Sequence, residues 1–211
     1  MRRLRVGLGA SFLVVSTCLC SAGAKDSAIN YWPLKLGSTW TMPMPDIHPG
    51  WTIKFTVTSV TPQAAGTSLV DVGYKMHGKD VQDEEYVVSN SEIARSKGGP
   101  GGSAVCSPPI PIIKMPMKSG ETWDWKGTIT SGSMAIDGTS HSTVSGPYVL
   151  TTPTGKFTAM KVHSALVLTI GSKVISIPND IWYSPGIGVV KQKTTMNGTV
   201  HRYYISKYTI K

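Results

Sequence analysis

The chain has 211 residues, 40% of them hydrophobic, and a formal net charge of +9. That length is enough for a sizeable core and sets the expectation at one domain or two small ones. The charge does not describe a nucleic-acid-binding surface. Such surfaces cluster their cations, whereas beyond residue 24 the lysines and arginines never form a run of three and are scattered among Thr, Ser and Tyr.

Residues 1–24 read as an export signal. Arg2, Arg3 and Arg5 make a basic start, residues 6–19 are apolar or small, and Ala22-Gly23-Ala24 offers a small-x-small cleavage site before Lys25. The apolar stretch is shorter than the roughly 20 residues of a spanning helix, and no later stretch is apolar enough to span. Removing the segment leaves residues 25–211 as a single β domain, takes away three arginines and brings the charge from +9 to +6. The expected location is periplasmic or extracellular. Cys18 and Cys20 leave with the signal, so Cys106 stands alone and no intramolecular disulfide can form. Val15-Ser16-Thr17-Cys18 resembles a lipobox with Thr17 where Gly, Ala or Ser is usual. Acylation of Cys18 and a membrane tether are therefore the alternative to ordinary cleavage.

The first element of the exported part is a phrase that the chain uses twice. Pro33-Leu34-Lys35-Leu36-Gly37-Ser38-Thr39-Trp40 returns as Pro116-Met117-Lys118-Ser119-Gly120-Glu121-Thr122-Trp123. Pro blocks a helix, Gly permits a turn with positive φ, and Thr-Trp opens a strand with a large apolar anchor. Each copy predicts a strand entry. After the first copy, Pro43, Pro45 and Pro49 interrupt the strand.

Next, Trp51, Ile53, Phe55 and Val57 alternate with Thr52, Lys54, Thr56 and Thr58, the period of a half-buried strand. Val70, Val72, Tyr74 and Met76 repeat the pattern up to a turn at His77-Gly78, with residues 86–88 returning beyond it. The stretch 97–111 combines Gly98, Gly99, Gly101 and Gly102 with Pro100, Pro108, Pro109 and Pro111. It predicts a long surface crossover loop dividing the strand series. Strands resume at Trp123, Trp125 and Ile129, and from Met160 through Val162, Leu166, Leu168 and Ile170. Residues 174–177 pair back across Gly171-Ser172. A last hairpin flanks Met196-Asn197-Gly198.

Longer motifs carry a family likeness. "YWPLKLGSTW" at 31–40 resembles the opening of exported bacterial proteins of no assigned function. "TTPTGKFTAMKV" at 151–162 is similar to their central turn-and-strand motif, "IWYSPGIGVVKQ" at 181–192 to their late aromatic-Pro-Gly motif, and "YYISKYTIK" at 203–211 to their closing strand. The resemblance implies an all-β fold: a strongly curled antiparallel sheet or unclosed barrel with little helix outside the signal. It resembles lipoprotein carriers of the LolA kind, which cup an acyl chain on the concave face. It implies no reaction.

Motifs for chemistry are sparse. His48, His77, His141, His163 and His201 show no ligand spacing, and no Gly-x-Ser-x-Gly elbow occurs. Cys106 has no neighbouring base in sequence. "KGGPGGS" at 97–103 lacks the Lys-Ser/Thr and the helix of a phosphate loop. Asp80, Asp83, Glu84 and Glu85 read as a solvated acidic edge beside a hairpin turn, which discourages edge pairing. No metal and no cofactor are expected.

The expectation is an exported, non-catalytic β protein that binds a lipid or another apolar envelope component. Trp51, Phe55, Trp125, Val162, Leu166, Leu168, Trp182 and Tyr183 would form its dry face. The alternatives are a hydrolase of glycan or peptide, using the acidic group or the histidines, and a structural subunit of a surface assembly that pairs through strand edges.

Overall fold

The computed structural model describes residues 26–98, 103–196 and 198–211. The export signal and the Cys18 lipobox lie outside them. Thirteen strands form one antiparallel sheet: β1 Thr39–Pro43, β2 Thr52–Pro62, β3 Ser68–Met76, β4 Lys79–Val88, β5 Glu92–Gly98, β6 Ala104–Lys114, β7 Thr122–Ser131, β8 Met134–Thr152, β9 Gly155–Ile170, β10 Lys173–Ser184, β11 Gly188–Met196, β12 Thr199–Tyr204 and β13 Lys207–Thr209. Among the described residues one short α-helix, α1 Ala28–Tyr31, and one 3-10 turn at Ala64–Gly66 are the helical parts. None is long and apolar enough to cross a membrane.

Each of β1 to β12 lies beside its neighbour in sequence, and β13 is added outside β1. The sheet is not closed into a barrel, since β12 and β13 are its two edges. Those edges are nonetheless consecutive in the chain. The Ile205 N–H donates to the Val190 carbonyl of β11 at 2.9 Å, and the Ser206 N–H donates to the Thr41 carbonyl of β1, also at 2.9 Å. One peptide step thus carries the chain from one edge of the curled sheet to the other.

The repeated phrase builds the same device twice. Gly37 and Gly120 have φ of +79° and +93°, a region that an L side chain resists. The Gly37 N–H donates to the Val57 carbonyl and the Val57 N–H returns to Ser38. In the second copy, the Gly120 N–H donates to Val144 and the Val144 N–H returns to Glu121. In both, the residue after Gly donates to the Lys three positions before it, Lys35 or Lys118. Each turn thereby fixes the start of one strand, β1 or β7, against the following strand, β2 or β8. Trp40 is fully buried and Trp123 nearly so, and both join the main core with Leu34 and Met117.

The crossover loop expected over 97–111 is corrected by the structure. Gly98 ends β5, and Ala104 opens β6, which runs straight through Pro108, Pro109 and Pro111 and pairs back onto β5 as a hairpin. The prolines are tolerated because the β6–β7 ladder covers only Ala104 to Ser107, and on the other side the β5–β6 ladder skips residues 106–109 at its register shift. Beyond Ser107 no β7 partner needs an N–H. The proline carbonyls are used instead: the Trp125 indole N–H donates to Pro108 at 2.9 Å and the Trp123 indole to Pro111 at 3.3 Å. Cys106 sits here, buried with Ile110 and Trp125 in a small satellite cluster.

Candidate functional site

Strand alternation decides which side chains reach the inside of the curl. On β4, Gln82, Glu84, Tyr86 and Val88 point inward, while Asp83 and Glu85 point out. Across the ladder Gln82 faces Tyr74, Glu84 faces Val72, and Tyr86 faces Arg95 of β5. These side chains meet around a cavity of about 370 Å³. Phe55, Ile53, Met76, Ile112, Ile181 and Val189 supply apolar wall. Gln82, Glu84 and Arg95 from one half of the sheet, and Asn179, Gln192 and Thr194 from the other, supply polar wall. Trp32, just after α1, lines it as well, with its ring against Tyr86 and Tyr183 at centroid distances of 5.1 and 6.1 Å. A smaller cavity of about 130 Å³ shares Arg95, Ile112, Asn179, Ile181 and Tyr183 with it.

Glu84 is the centre of the polar wall and is 7% exposed. It accepts hydrogen bonds from the Tyr74 and Tyr86 hydroxyls, from Gln82 Nε2 at 2.7 Å, and from Arg95 Nη1 at 3.3 Å. Its lone pairs are thus occupied, as a buried carboxylate requires. Burial, and then the Glu84 charge, push the Tyr74 and Tyr86 phenols well above their ordinary pKa. Burial followed by the same charge also raises Tyr183. For Arg95, burial is the largest single influence and works against ionisation, but Glu84 together with Tyr86, Cys106 and Tyr74 outweighs it and the pKa is raised. Three of the lining residues each carry a polar atom that is shielded from solvent and has no hydrogen-bond partner among the described residues: Trp32 Nε1, Arg95 Nε and the Tyr183 hydroxyl.

The acidic group is therefore not a solvated edge throughout. Asp80 and Asp83 are exposed, but Glu84 turns into the cavity. Glu85, on the outer face, is held by Lys97 Nζ at 2.9 Å and Ser96 Oγ at 2.7 Å. Burial acts to raise its pKa, and these two partners more than offset it, so the pKa is lowered.

The dry-face residues divide. Phe55 and Tyr183 line the main cavity, and Val162 and Leu166 line the smaller one. Trp125 belongs to the Cys106 cluster, and Leu168 flanks Gly138 opposite it. Trp51 stacks between the His48 and His77 rings at 4.9 and 5.7 Å. Trp182 is buried in the main core cluster but lines neither cavity. It neighbours Tyr183 in a strand, so the two face opposite ways. It pairs with Lys161 and Lys191, whose Nζ atoms stand 5.9 and 4.3 Å from its ring.

Two His–Asp pairs occupy the sheet as well, His141 with Asp124 and His163 with Asp180, each at 2.7 Å. Thr143 Oγ1 lies 3.4 Å from His141 Nε2. Asp124 and His141 are 83% and 60% exposed, and a flat ladder face offers no free N–H pair for an oxyanion. Among the described residues no three His, Cys, Asp or Glu side chains converge as metal ligands.

Sequence reading placed Glu84 on a solvated acidic edge and missed Arg95, Gln82, Asn179 and Gln192. The signal for Glu84 was present: Tyr86 and Val88 fix the inward phase of β4, and Glu84 and Gln82 share it.

No protein-family model matches the chain, and no curated protein matches it. Two solved structures share the fold, an open antiparallel meander. One, from Parabacteroides distasonis, is named a "putative lipoprotein"; it is 14% identical with a TM-score of 0.59, and the match covers 85% of this chain and 98% of that one. The other, from Bacteroides fragilis, is named a "putative exported protein with YmcC-like fold"; it is 13% identical with a TM-score of 0.56, covering 83% of this chain and 96% of that one.

Proposed function

We propose that the protein is an exported, non-catalytic binding protein whose concave face receives the apolar body of an envelope molecule. The observation that carries this reading is the cavity: about 370 Å³, walled largely by apolar side chains, with Gln82, Asn179, Gln192 and the Glu84–Arg95 pair as its polar part. Small-ligand sites run from about 300 to 1,000 Å³ with that composition. An acyl chain gains roughly 0.8 kcal/mol for each methylene it buries, so a partial fit is enough for binding. The names of the two proteins of like fold support export, and an open sheet with a cavity inside its curl is compatible with the carrier layout that the sequence resemblance implies. A tether through Cys18 belongs to the same proposal. Incorporation of labelled palmitate that is lost in Cys18→Ala would support it, and an unlabelled wild-type protein would remove it.

A hydrolase is less well supported. Glu84 is the one carboxylate in the lining among the described residues, and it is engaged by four donors, whereas glycan hydrolysis needs two carboxylates about 5–10 Å apart across the substrate. The test of the binding reading uses the mature chain and a polarity-sensitive naphthalene dye. The dye should brighten and shift to the blue with saturable, one-to-one binding. Ile181→Trp, which fills the cavity, should abolish the signal while the protein still unfolds cooperatively. A wild-type protein that leaves the dye dark would end the reading.

A further inference from the structure

We propose that the face of β9–β12 turned away from the cavity is a docking surface for an anionic lipid bilayer, with the tip of the β9–β10 hairpin entering the bilayer interface. The inference is independent of what the cavity holds.

Charge is divided unevenly along the chain. Residues 153–211 carry eight lysines and arginines against one carboxylate, Asp180, a balance of +7. Residues 25–152 carry ten against eleven, a balance of −1. The excess of the exported part therefore lies in β9–β13.

Strand pairing gathers cations that are scattered in sequence. Lys161, Trp182, Lys191 and Tyr204 are ladder partners in one cross-strand row, and His163, Asp180, Lys193 and Arg202 form the next. Residues two apart on a strand share a face, so both rows lie opposite Tyr183, outside the curl. Asp180 balances only part of this charge. It is shared by His163 Nδ1 at 2.7 Å, Lys193 Nζ at 3.5 Å and Lys161 Nζ at 4.0 Å. Asp46 adds a second carboxylate at the β12 edge, where it accepts the Arg202 backbone N–H at 3.1 Å. Lys191 Nζ stands over the Trp182 and Tyr204 rings, 4.3 and 5.1 Å from their centroids. Such contacts hold an ammonium in place without neutralising it.

The same hairpin ends in apolar side chains. Val174 is 68% exposed and Ile175 42%, beside Ile170 and the exposed Lys173. The β9–β10 register runs unbroken from Lys173 to Tyr183, so Val174 shares the phase of Asp180 and Trp182 and extends the basic face to its tip. A soluble polyanion would use the cations and leave Val174 and Ile175 in water. An anionic bilayer serves both: its head groups attract the lysines, and its interface accepts apolar side chains with tryptophan and tyrosine beside them.

Co-sedimentation of the mature chain with phosphatidylcholine vesicles, with and without about one-third phosphatidylglycerol, tests this at about 0.1 M NaCl. The anionic vesicles should bind at least about tenfold more tightly than the neutral ones, and about 0.5 M NaCl should remove most of that difference. Lys193→Gln with Arg202→Gln removes two cations of the face, each contributing roughly fivefold, so affinity should fall about twentyfold. Lys118→Gln with Lys126→Gln lowers the net charge equally on the β7 side and should change affinity less than about twofold. Val174→Ser should weaken vesicle binding several-fold and leave binding to polygalacturonate, a soluble acidic polysaccharide, unchanged. Thermal unfolding reports that each variant is folded. No sedimentation with either vesicle, equal binding to both, or equal losses from the two paired substitutions overturns the proposal. A Val174→Ser protein that holds anionic vesicles as tightly as the wild type, and polygalacturonate as well, also overturns it and assigns the face to a soluble polyanion. None of these results bears on the dye test of the cavity.

Discussion

Glu84 of β4 and Arg95 of β5 meet inside the curl with 3.3 Å between Oε1 and Nη1, and among the described residues each is the other's only salt-bridge partner. Removing one partner of such a pair costs about 3–5 kcal/mol, because the survivor is left buried and unpaired, whereas replacing both with apolar groups is often neutral. Glu84→Ala should therefore lower the urea-unfolding free energy by about that amount, and Glu84→Met with Arg95→Met by much less. The Tyr74 and Tyr86 hydroxyls, 3.1 Å apart, would still bond to each other in the double variant. A double variant as unstable as Glu84→Ala would show that the pair is net stabilising.

The same cluster makes stability fall in alkali. Tyr74, Tyr86 and Tyr183 have phenol pKa values raised above 10.0 in the folded protein, by burial first and by Glu84 next. A raised folded value means that the native state keeps its protons while the unfolded chain loses them. The contribution is unchanged below the unfolded pKa and is lost as pH rises beyond it. Each tyrosine contributes a slope of about 1.4 kcal/mol per pH unit above about pH 10, or roughly 4 for the three together. Urea midpoints measured from pH 8 to 11, with phenolate absorbance at 295 nm, test this. Ionisation of these tyrosines before unfolding would contradict it. Tyr183→Phe should remove about a third of the slope.

The paired strand entries predict paired sensitivities. Gly37→Ala and Gly120→Ala each force a Cβ into the left-handed region, at a cost of about 1–2 kcal/mol. Their effects should be alike because the hydrogen bonds are alike. Gly127→Ala should cost more for a different reason. Its added Cβ would lie 2.5 Å from the Ser107 carbonyl oxygen, 2.7 Å from the Trp125 ring and 2.9 Å from Pro108 Cδ. That collision falls where β6 meets β7, so the ladder itself must shift. Thermal unfolding of the three variants ranks them, and a Gly127→Ala protein more stable than Gly120→Ala would refute the assignment.

These comparisons show which features were legible in the sequence. Period-two alternation placed Phe55, Val57, Val70 and Val72 on one face, and the duplicated Gly-x-Thr-Trp phrase marked two strand entries, because both signals are local. The prolines of β6 misled, since a proline breaks a ladder only where a partner needs its N–H, and the width of the β6–β7 ladder is a tertiary fact. Trp182 is buried in the core, yet strand phase sets it beside Lys161 and Lys191 and not in the cavity that Tyr183 lines. The convergence of Glu84 with Asn179 and Gln192 was not legible at all. It depends on how far the sheet curls, and no local pattern encodes that.

The bridging of the two sheet edges yields the last prediction. β13 pairs with β1 through Thr39–Thr209, Trp40–Tyr208 and Thr41–Lys207, and Lys211 N–H donates to Ser38 Oγ at 3.2 Å. Tyr208 also lies edge-on to Phe157 of β9, with centroids 6.2 Å apart. Truncation after Ser206 removes these contacts but keeps the Ile205 and Ser206 bonds that carry the chain across. Loss of the partly buried Tyr208 and Ile210 should lower stability by roughly 2–4 kcal/mol. The truncation also leaves the outer ladder groups of β1 without partners. An exposed strand edge recruits another edge, so the shortened protein should self-associate in a concentration-dependent way by light scattering, while its cavity still binds the naphthalene dye. A truncated chain that stays monomeric and equally stable would show that β13 is an ornament on a β1 edge already protected by the short length of that strand.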